Sequence, residues 1–600
     1  MNTREKALGD FTTTWEVIPL SALAVAIGII ASGIAWALLR LIGLFTNLCY
    51  YGRWDFHLVS PAGNHLGVWA VLVPVAGSMI VGLMARFGSD RIRGHGIPEA
   101  IESILNGGSR VEPKLAILKP LSSAISIGSG GPFGAEGPII MTGGAFGSLI
   151  AQFFHLTGAE RKTLLVAGAA AGMSATFNAP ISALMLAVEL LLFEWKPRSV
   201  IPVAFASAAA AIARFYIIGG GALFPVAGHP AFAGVGPLAM CVIAGVLAGG
   251  LSALLTLAVY ASEDGFQHVP IHWMWWPAMG GVVVGLGGLF FPQALGVGYD
   301  VIGDLVKGDR TLHLVLGVLI VKWLIWAVAL GSGTSGGVLA PVMMIGAGTG
   351  ALLSYALPDM GPGFWAMIGL GAMLSGTLRV PMTAIIFTVE QTHDWNMLLP
   401  LLLGCASSYA VSTLLLRRSI LTEKVARRGY HVSAEYAVDP LELLYAREVM
   451  RAPEVILQAE GTIHEAAQQV RAGLSENQRL LPVVDAHGTL AGVLTRSALL
   501  KKLEEVQAGG TMLWLREFML TEPVVAFAND PLRVVVNRMA EKGVTRMPVV
   551  EKSGRFLGLI SLDDLLKARS RHLEEEQRRE QTLWLPYFGP TRAVSVKSDS

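Results

Sequence analysis

Charged residues are scarce in this chain of 600 residues. Asp, Glu, Lys and Arg make up 15% of the sequence, against roughly 25% in soluble domains. The net charge is only +1, so the charge balance does not predict a nucleic acid or another charged polymer as partner. Hydrophobic residues reach 53%, and the chain is therefore predicted to lie in a lipid bilayer.

Cysteine is rarer still, with three residues in the whole chain. Cys49, Cys241 and Cys405 lie far apart in apolar sequence, so they predict core positions and neither a disulfide nor a metal site. A removable signal peptide is not expected, because no short apolar core with a small-residue cleavage site follows the polar residues 1–16.

Long apolar runs dominate residues 18–430, which are predicted to form an all-α membrane domain after a cytoplasmic segment at 1–17. The runs at 17–44, 66–84, 200–218, 238–260 and 312–330 are close to or above the roughly 20 residues that span a bilayer. A basic cluster beside the last apolar run favours the cytoplasmic side; it consists of Arg417, Arg418, Lys424, Arg427 and Arg428. The soluble remainder is then predicted to be cytoplasmic.

One apolar unit occurs twice. Residues 128–138 read GSGGPFGAEGP and return as GSGTSGGVLAP at 331–341. Three further residues recur at one common offset: Gly168, Pro180 and Glu189 return as Gly369, Pro381 and Glu390. Paired segments interrupted by glycine and proline are typical of transporters whose site lies between two repeats. We predict repeat halves at about 18–260 and 273–420.

A second repeat lies in the soluble tail. The sequence Leu481-Pro-Val-Val-Asp485 returns as Met547-Pro-Val-Val-Glu551. Each copy predicts a strand, a glycine turn, a second strand and a helix with a hydroxyl residue at its N-cap, Thr495 or Ser561. These units resemble tandem CBS domains, at 446–506 and 513–570, with a tail at 571–600.

The CBS resemblance implies a regulatory module that binds an adenine nucleotide (ATP, ADP or AMP) between its halves. The position of the ribose-binding aspartate holds Asp564 in the second copy and Ala498 in the first. One nucleotide site, with Ser561, Asp564 and Thr495, is therefore expected. The alternative is that Asp564 only supports the first turn of its helix. No cofactor is expected to be required for the activity of the membrane domain.

Three glycine-rich segments each lead into an apolar helix through a proline: residues 94–98 (GHGIP), 134–138 (GAEGP) and 337–341 (GVLAP). A helix N-terminus carries roughly half a positive charge and unpaired N–H groups, which suits an anion in a bilayer. One such segment is weak evidence, because glycine in membrane helices usually serves packing. Three of them predict an anion path.

The order of these segments resembles the signature motifs of the CLC family of chloride channels and chloride/proton exchangers. That resemblance implies a homodimer in a bacterial inner membrane, with an anion path in each subunit built from two inverted repeats of broken, tilted helices. Chloride or another small anion, and protons, are the implied substrates, and no catalytic residue is expected.

The resemblance also implies the site. Glu136 matches the gating glutamate, with a simple helix-capping role as the alternative. Lys119 matches a buried cation, although it could instead extend to the membrane surface. The implied anion-binding positions lie in the glycine-rich segments and near the last apolar run: Gly94, His95, Gly96, Ile97, Gly134, Ala135, Gly137, the amides of Val338 and Leu339, and Leu421.

Four positions depart from the family pattern. His95 replaces a serine, Ala135 an arginine and Leu421 a tyrosine, which leaves the preferred anion open. Leu190 replaces the internal proton acceptor of exchangers, and the neighbouring Glu189 is expected to be structural or to mark the proton pathway.

The prediction is therefore channel-like or weakly proton-coupled anion transport. A proton-coupled chloride exchanger is the alternative. A remote alternative is an intramembrane serine protease that uses Ser335 and His393.

Overall fold

The computed structural model describes residues 13–105, 109–231, 234–429, 441, 444–472, 478–509 and 513–577. Most of the predicted N-terminal segment (1–12) and of the tail (578–600) lies outside the described residues. The chain divides into two compact units, Met1–Glu435 and Tyr436–Ser600, which are described separately.

The first unit is helical, and seven of its described helical segments are long and apolar enough to cross a membrane. This confirms the predicted multi-pass membrane protein. Its helices are α1 (Val17–Tyr51), α2 (Leu72–Phe87), α3 (Ile97–Leu105), α4 (Pro113–Gly128), α5 (Glu136–Gln152), α6 (Gly158–Phe177), α7 (Pro180–Leu186), α8 (Pro197–Ile217), α9 (Val235–Gln267), α10 (Trp276–Phe290), α11 (Tyr299–Val306), α12 (Leu312–Leu316), α13 (Trp323–Gly331), α14 (Leu339–Leu353), α15 (Phe364–Leu378), α16 (Pro381–Thr392), α17 (Leu398–Leu415) and α18 (Ile420–Arg427).

The duplication is visible in the packing. Helix α1 packs on α4, α6 and α8, and α9 packs on α13, α15 and α17 in the same way. The π-helical segment Ala187–Leu192 extends α7, and a second one, Gly317–Lys322, joins α12 to α13. The predicted first half extended to residue 260, whereas the packing places α9 at the head of the second half.

Two glutamates show that the repeats are inverted. Glu390, at the end of α16, accepts hydrogen bonds at 2.9 Å from the amides of Ile181 and Ser182 at the start of α7. Glu189, just beyond α7, accepts from the amides of Met382 and Thr383 at the start of α16, at 3.1 and 2.9 Å. The two related helices therefore run antiparallel, and each caps the other.

The second unit contains two three-stranded sheets of the same topology. The first is β1 (Leu457–Gln458), β2 (Leu480–Val484) and β3 (Leu490–Thr495); the second is β4 (Ala526–Phe527), β5 (Arg546–Val550) and β6 (Phe556–Ser561). In each, the first two strands are parallel and the last two antiparallel. The Pro-Val-Val strands and glycine turns lie where the sequence predicts them, but β1 and β4 were not predicted.

The helices of this unit are α19 (Ala446–Val449), α20 (Ile463–Ala472), α21 (Arg496–Gly509), α22 (Leu532–Lys542) and α23 (Leu562–Gln577). The segment that precedes each CBS copy packs into the hydrophobic core of the other copy. Ala446 is buried in the core of the second copy, and Leu515 in that of the first. Backbone bonds from Ala446 to Asp530 (2.9 Å) and from Leu515 to Gly461 (3.1 Å) fix this arrangement.

Because a buried carboxylate that accepts backbone hydrogen bonds contributes about 2 kcal/mol, we expect Glu390→Gln to lower the melting temperature of the purified protein by several degrees. Glu160→Gln is the matched control, since Glu160 also bonds the N-cap amide of its helix but at an exposed site. Equal melting temperatures for the two variants in a thermal-unfolding assay would contradict the structural role of Glu390.

Candidate anion-binding site

The three glycine-rich segments lie side by side in the fold. The amide of Gly94 donates to Thr334 O at 3.2 Å, and the amide of Gly336 donates to Gly94 O at 3.3 Å. Gly134 and Gly337 exchange two backbone bonds of 3.3 and 2.8 Å. Segments that are distant in sequence are thus joined where the two repeats meet.

Two of the helices that begin here have no side-chain cap. Ala135 is the N-cap of α5 and Val338 that of α14, and neither accepts an amide hydrogen bond through its side chain. Both residues are buried, and so is Leu339, the first residue of α14. The first N–H groups of a helix have no partner within it, so these two ends offer unpaired donors and positive potential to an anion.

Glu136 is the first residue of α5, and its side chain is fully buried. The hydroxyl of Tyr299 donates to Oε1 at 3.3 Å, and Oε2 has no hydrogen-bond partner among the described residues. A methyl group placed on Gly337 would lie 2.7 Å from Oε2. The carboxylate therefore lies between the first residues of α5 and α14.

Lys119 does not extend to the membrane surface. Its side chain is fully buried, and Nζ donates to Ile92 O at 2.8 Å and Gly94 O at 2.7 Å. These carbonyls belong to the loop before α3. The ammonium group therefore holds this loop beside the glycine-rich segments, and among the described residues it forms no ion pair with a carboxylate.

A second buried lysine, Lys322, was missed in the sequence. Its Nζ donates to Ala294 O and Gly296 O, both at 2.9 Å, in the loop before α11. Lys322 follows Lys119 at the same spacing that separates Gly331 from Gly128, so the duplication itself contained the signal. Each loop turns into its helix through a glycine of positive φ, Gly96 at 87° and Gly298 at 79°.

The side of α3 also carries charge that the sequence did not assign to the site. Lys424 of α18 lies against Gly94 and is 3.8 Å from Glu99, which Arg428 also contacts at 2.8 Å. His95 is 2% exposed, and its Nδ1 lacks a partner in the described part of the chain. Leu421 is fully buried on α18.

The predicted proton-pathway residues, Leu190 and Glu189, do not offer a free carboxylate among the described contacts. Leu190 is buried. The carboxylate of the neighbouring Glu189 accepts hydrogen bonds from two amides of α16 and, at 2.6 Å, from the Thr383 hydroxyl. Glu194, further along, accepts from Ser199 at 2.7 Å and contacts Lys196 at 3.3 Å. Among the described residues, no hydrogen bond joins Glu189 or Glu194 to Glu136.

The two residues of the protease alternative are not paired. The Ser335 hydroxyl bonds the hydroxyls of Ser122 and Ser123 at 3.2 and 2.9 Å. His393 is exposed at the end of α16. No hydrogen bond joins these two side chains in the parts of the chain that are described.

The predicted nucleotide residues occupy the starts of two helices. Asp564 Oδ2 accepts from the amide and hydroxyl of Ser561 at 3.0 and 2.6 Å, and Oδ1 pairs with Arg451. In the first copy the Thr495 hydroxyl accepts from the Ala498 amide at 3.2 Å. The carboxylate of Asp564 is therefore already engaged by the protein.

Comparisons with known proteins identify the family of the membrane domain and of the soluble unit. A family model described as voltage gated chloride channel matches residues 75–413, and a CBS domain model matches 446–505 and 515–571. The H(+)/Cl(-) exchange transporter ClcA of Klebsiella pneumoniae (strain 342) is 28% identical over 400 residues, which cover 62% of this chain and 84% of the relative. A putative chloride channel protein, ClcB-like, of Ralstonia nicotianae is also 28% identical, over 62% of this chain and 89% of the relative.

Solved structures show the same fold. A slow cyanobacterial Cl-/H+ antiporter gives a TM-score of 0.61 at 21% identity, over 68% of this chain and 97% of the other. A eukaryotic CLC transporter gives 0.56 at 21% identity, over 92% and 98%. The family model over more than half of the chain defines a membrane transport protein for anions. The chain belongs to the CLC family, with tandem CBS domains after the membrane domain, which confirms the predicted resemblance.

Since the two buried lysines hold the loops before α3 and α11, we expect Lys119→Met and Lys322→Met each to weaken chloride binding about tenfold, roughly 1.4 kcal/mol. Isothermal titration of the purified protein measures this affinity. Lys307→Met, at an exposed site beyond α11, is the control. Affinities equal to that control would show that the buried charges do not support the site.

Proposed function

We propose that this protein exchanges chloride for protons across the membrane. The observation that carries the proposal is the buried carboxylate of Glu136 between the uncapped ends of α5 and α14. Relatives that align over most of their length are named H(+)/Cl(-) exchange transporters, which favours exchange over channel-like transport.

The proposed mechanism is competition for one position. The charged carboxylate of Glu136 is attracted to the helix N-termini, as chloride is. Protonation removes this attraction, so the side chain leaves and chloride takes its place. The carboxylate returns only after it has lost its proton and the chloride has left the position, because a bare carboxylate is costly elsewhere in a bilayer. The movements of the two ions are thereby coupled.

In this proposal, no carboxylate carries protons between the inner side of the membrane and Glu136. Leu190 cannot hold a proton, and Glu189 is bonded by amides. Glu194 contacts Lys196 and Arg198, and it serves as the alternative acceptor. We therefore propose that protons reach Glu136 through water in the anion path.

Channel-like transport is the second candidate, and the apolar Leu190 favours it. Liposomes with a chloride gradient and no proton gradient separate the two functions. Chloride efflux that drives uphill proton uptake is the expected result. Chloride efflux without proton movement would establish the channel-like function instead.

In the same liposomes we expect Glu136→Gln to abolish proton uptake while chloride still flows. The amide cannot exchange a proton, and it resembles the neutral, open form, so chloride flux should also lose its dependence on pH. Glu160→Gln serves as the control with normal coupling. A pH profile of chloride flux that matches the unsubstituted protein would count against Glu136 as the gate.

We also propose a homodimer in a bacterial inner membrane, with CBS domains on the cytoplasmic side. Family membership supports the dimer, and the basic residues around α18 support the orientation. The CBS pair is proposed to bind an adenine nucleotide at Asp564, which requires the nucleotide to displace Arg451 from the carboxylate.

This nucleotide proposal predicts opposite effects for two substitutions. Asp564→Ala should weaken ATP, ADP or AMP binding about tenfold, because a hydrogen bond to a charged group is lost. Arg451→Ala should strengthen it, because the competitor is removed. Titration calorimetry measures both, with Arg447→Ala as the control. Equal affinity of the Asp564→Ala variant would leave Asp564 only a helix-capping role.

A further inference from the structure

No role for Tyr299 was predicted from the sequence. It is the first residue of α11 and follows Gly298, just as Ile97 follows Gly96 at the start of α3. Ile97 has an apolar side chain, whereas the hydroxyl of Tyr299 donates to Glu136 Oε1 at 3.3 Å. The second repeat therefore contributes a polar group to the gate that the first does not.

The aromatic ring of Tyr299 is held by two edge-on contacts. The ring centroids of Phe177 and Phe224 lie 6.1 and 6.2 Å away, at interplanar angles of 76° and 61°. Phe177 packs in turn on Phe387 at 5.1 Å. Rings packed in this way favour one orientation, so the hydroxyl is directed at the carboxylate by its surroundings.

Tyr299 also lines a cavity of about 130 Å³. Its walls include Thr46, Ser60, Gly298, Tyr299 and Asp300. Tyr299 thus contacts both this cavity and Glu136.

The contacts of the Glu136 carboxylate also show which hydrogen-bond donors an anion at the same position would meet. A carboxylate oxygen is a negatively charged acceptor, so a hydroxyl that donates to it can donate to an anion at the same place. His95 and Leu421 stand where the family pattern has hydroxyl side chains, and Leu421 has no polar group. The hydroxyl of Tyr299 is one that the described structure does bring to the gate.

We propose that Tyr299 donates its hydrogen bond to Glu136 when the carboxylate occupies the site, and to the anion when the carboxylate has left. It is a positioning residue for the gate and a determinant of anion binding. This inference rests on the proposed function of Glu136. Among the described residues, the charged side chain that acts electrostatically on Glu136 is Lys322.

The test uses Tyr299→Phe in the full-length protein, in two backgrounds. In the otherwise unsubstituted protein, the charged carboxylate loses a donor that favours it. The curve of chloride flux against pH should therefore move to higher pH, by about one unit. In the Glu136→Gln background, where the anion position is vacated, chloride affinity by titration calorimetry should fall about three- to tenfold.

Tyr50→Phe is the matched control. Its hydroxyl is also buried and donates at 3.0 Å, but to the Ser129 carbonyl, so a general loss of packing or stability would affect both variants alike. If Tyr299→Phe matches Tyr50→Phe in the pH curve and in chloride affinity, the proposal is overturned. A change in the pH curve alone would overturn the contact with the anion.

These outcomes separate this inference from the proposed function. If Glu136→Gln retained the pH dependence of the unsubstituted protein, the gate and the role of Tyr299 would both fail. If Glu136→Gln removed that dependence while Tyr299→Phe had no effect in either background, only the role of Tyr299 would fail. A shifted pH curve together with weaker chloride binding would support both.

Discussion

The membrane domain depends on two buried helix ends that lack a cap. The first N–H groups of α5 and α14 are buried in the membrane domain and have no side-chain cap as acceptor. In the proposed function an anion accepts hydrogen bonds from them, and the negative charge of Glu136 is attracted to the same position. Glycine in the adjoining segments lets the chain approach this point closely, and the backbone bonds between Gly134 and Gly337 keep the two ends together.

The inverted duplication then supplies two versions of the same support. Lys119 and Lys322 each donate to two carbonyls of a loop that leads into a short helix, so both loops are fixed and both charges stay beside the path. Glu189 and Glu390 tie α7 and α16 in the same reciprocal way. The two repeats differ in the side chains near Glu136: the Tyr299 hydroxyl donates to Glu136, whereas His95 and Lys424 lie on the side of α3.

Much of this arrangement could be predicted from the sequence, because it depends on local patterns. The glycine–proline segments stand out within short stretches, and the Pro-Val-Val repeats predict the CBS sheets. Glu136 and Lys119 were assigned through the resemblance to the CLC family. Tyr299 was missed because its partner comes from a helix in the other repeat, and the sequence marks no such contact. Lys322 could have been found by applying the repeat spacing to Lys119. The exchange of Ala446 and Leu515 between the CBS cores also depends on tertiary packing.

The most direct test of this account is to locate a bound anion. Crystals of the Glu136→Gln variant grown in bromide would give anomalous diffraction from the anion itself. The account predicts a bromide peak between the first residues of α5 and α14, within hydrogen-bonding distance of their amides and of the Tyr299 hydroxyl. Bromide peaks found only elsewhere, in well-ordered crystals, would contradict the claim that these uncapped helix ends form the anion site.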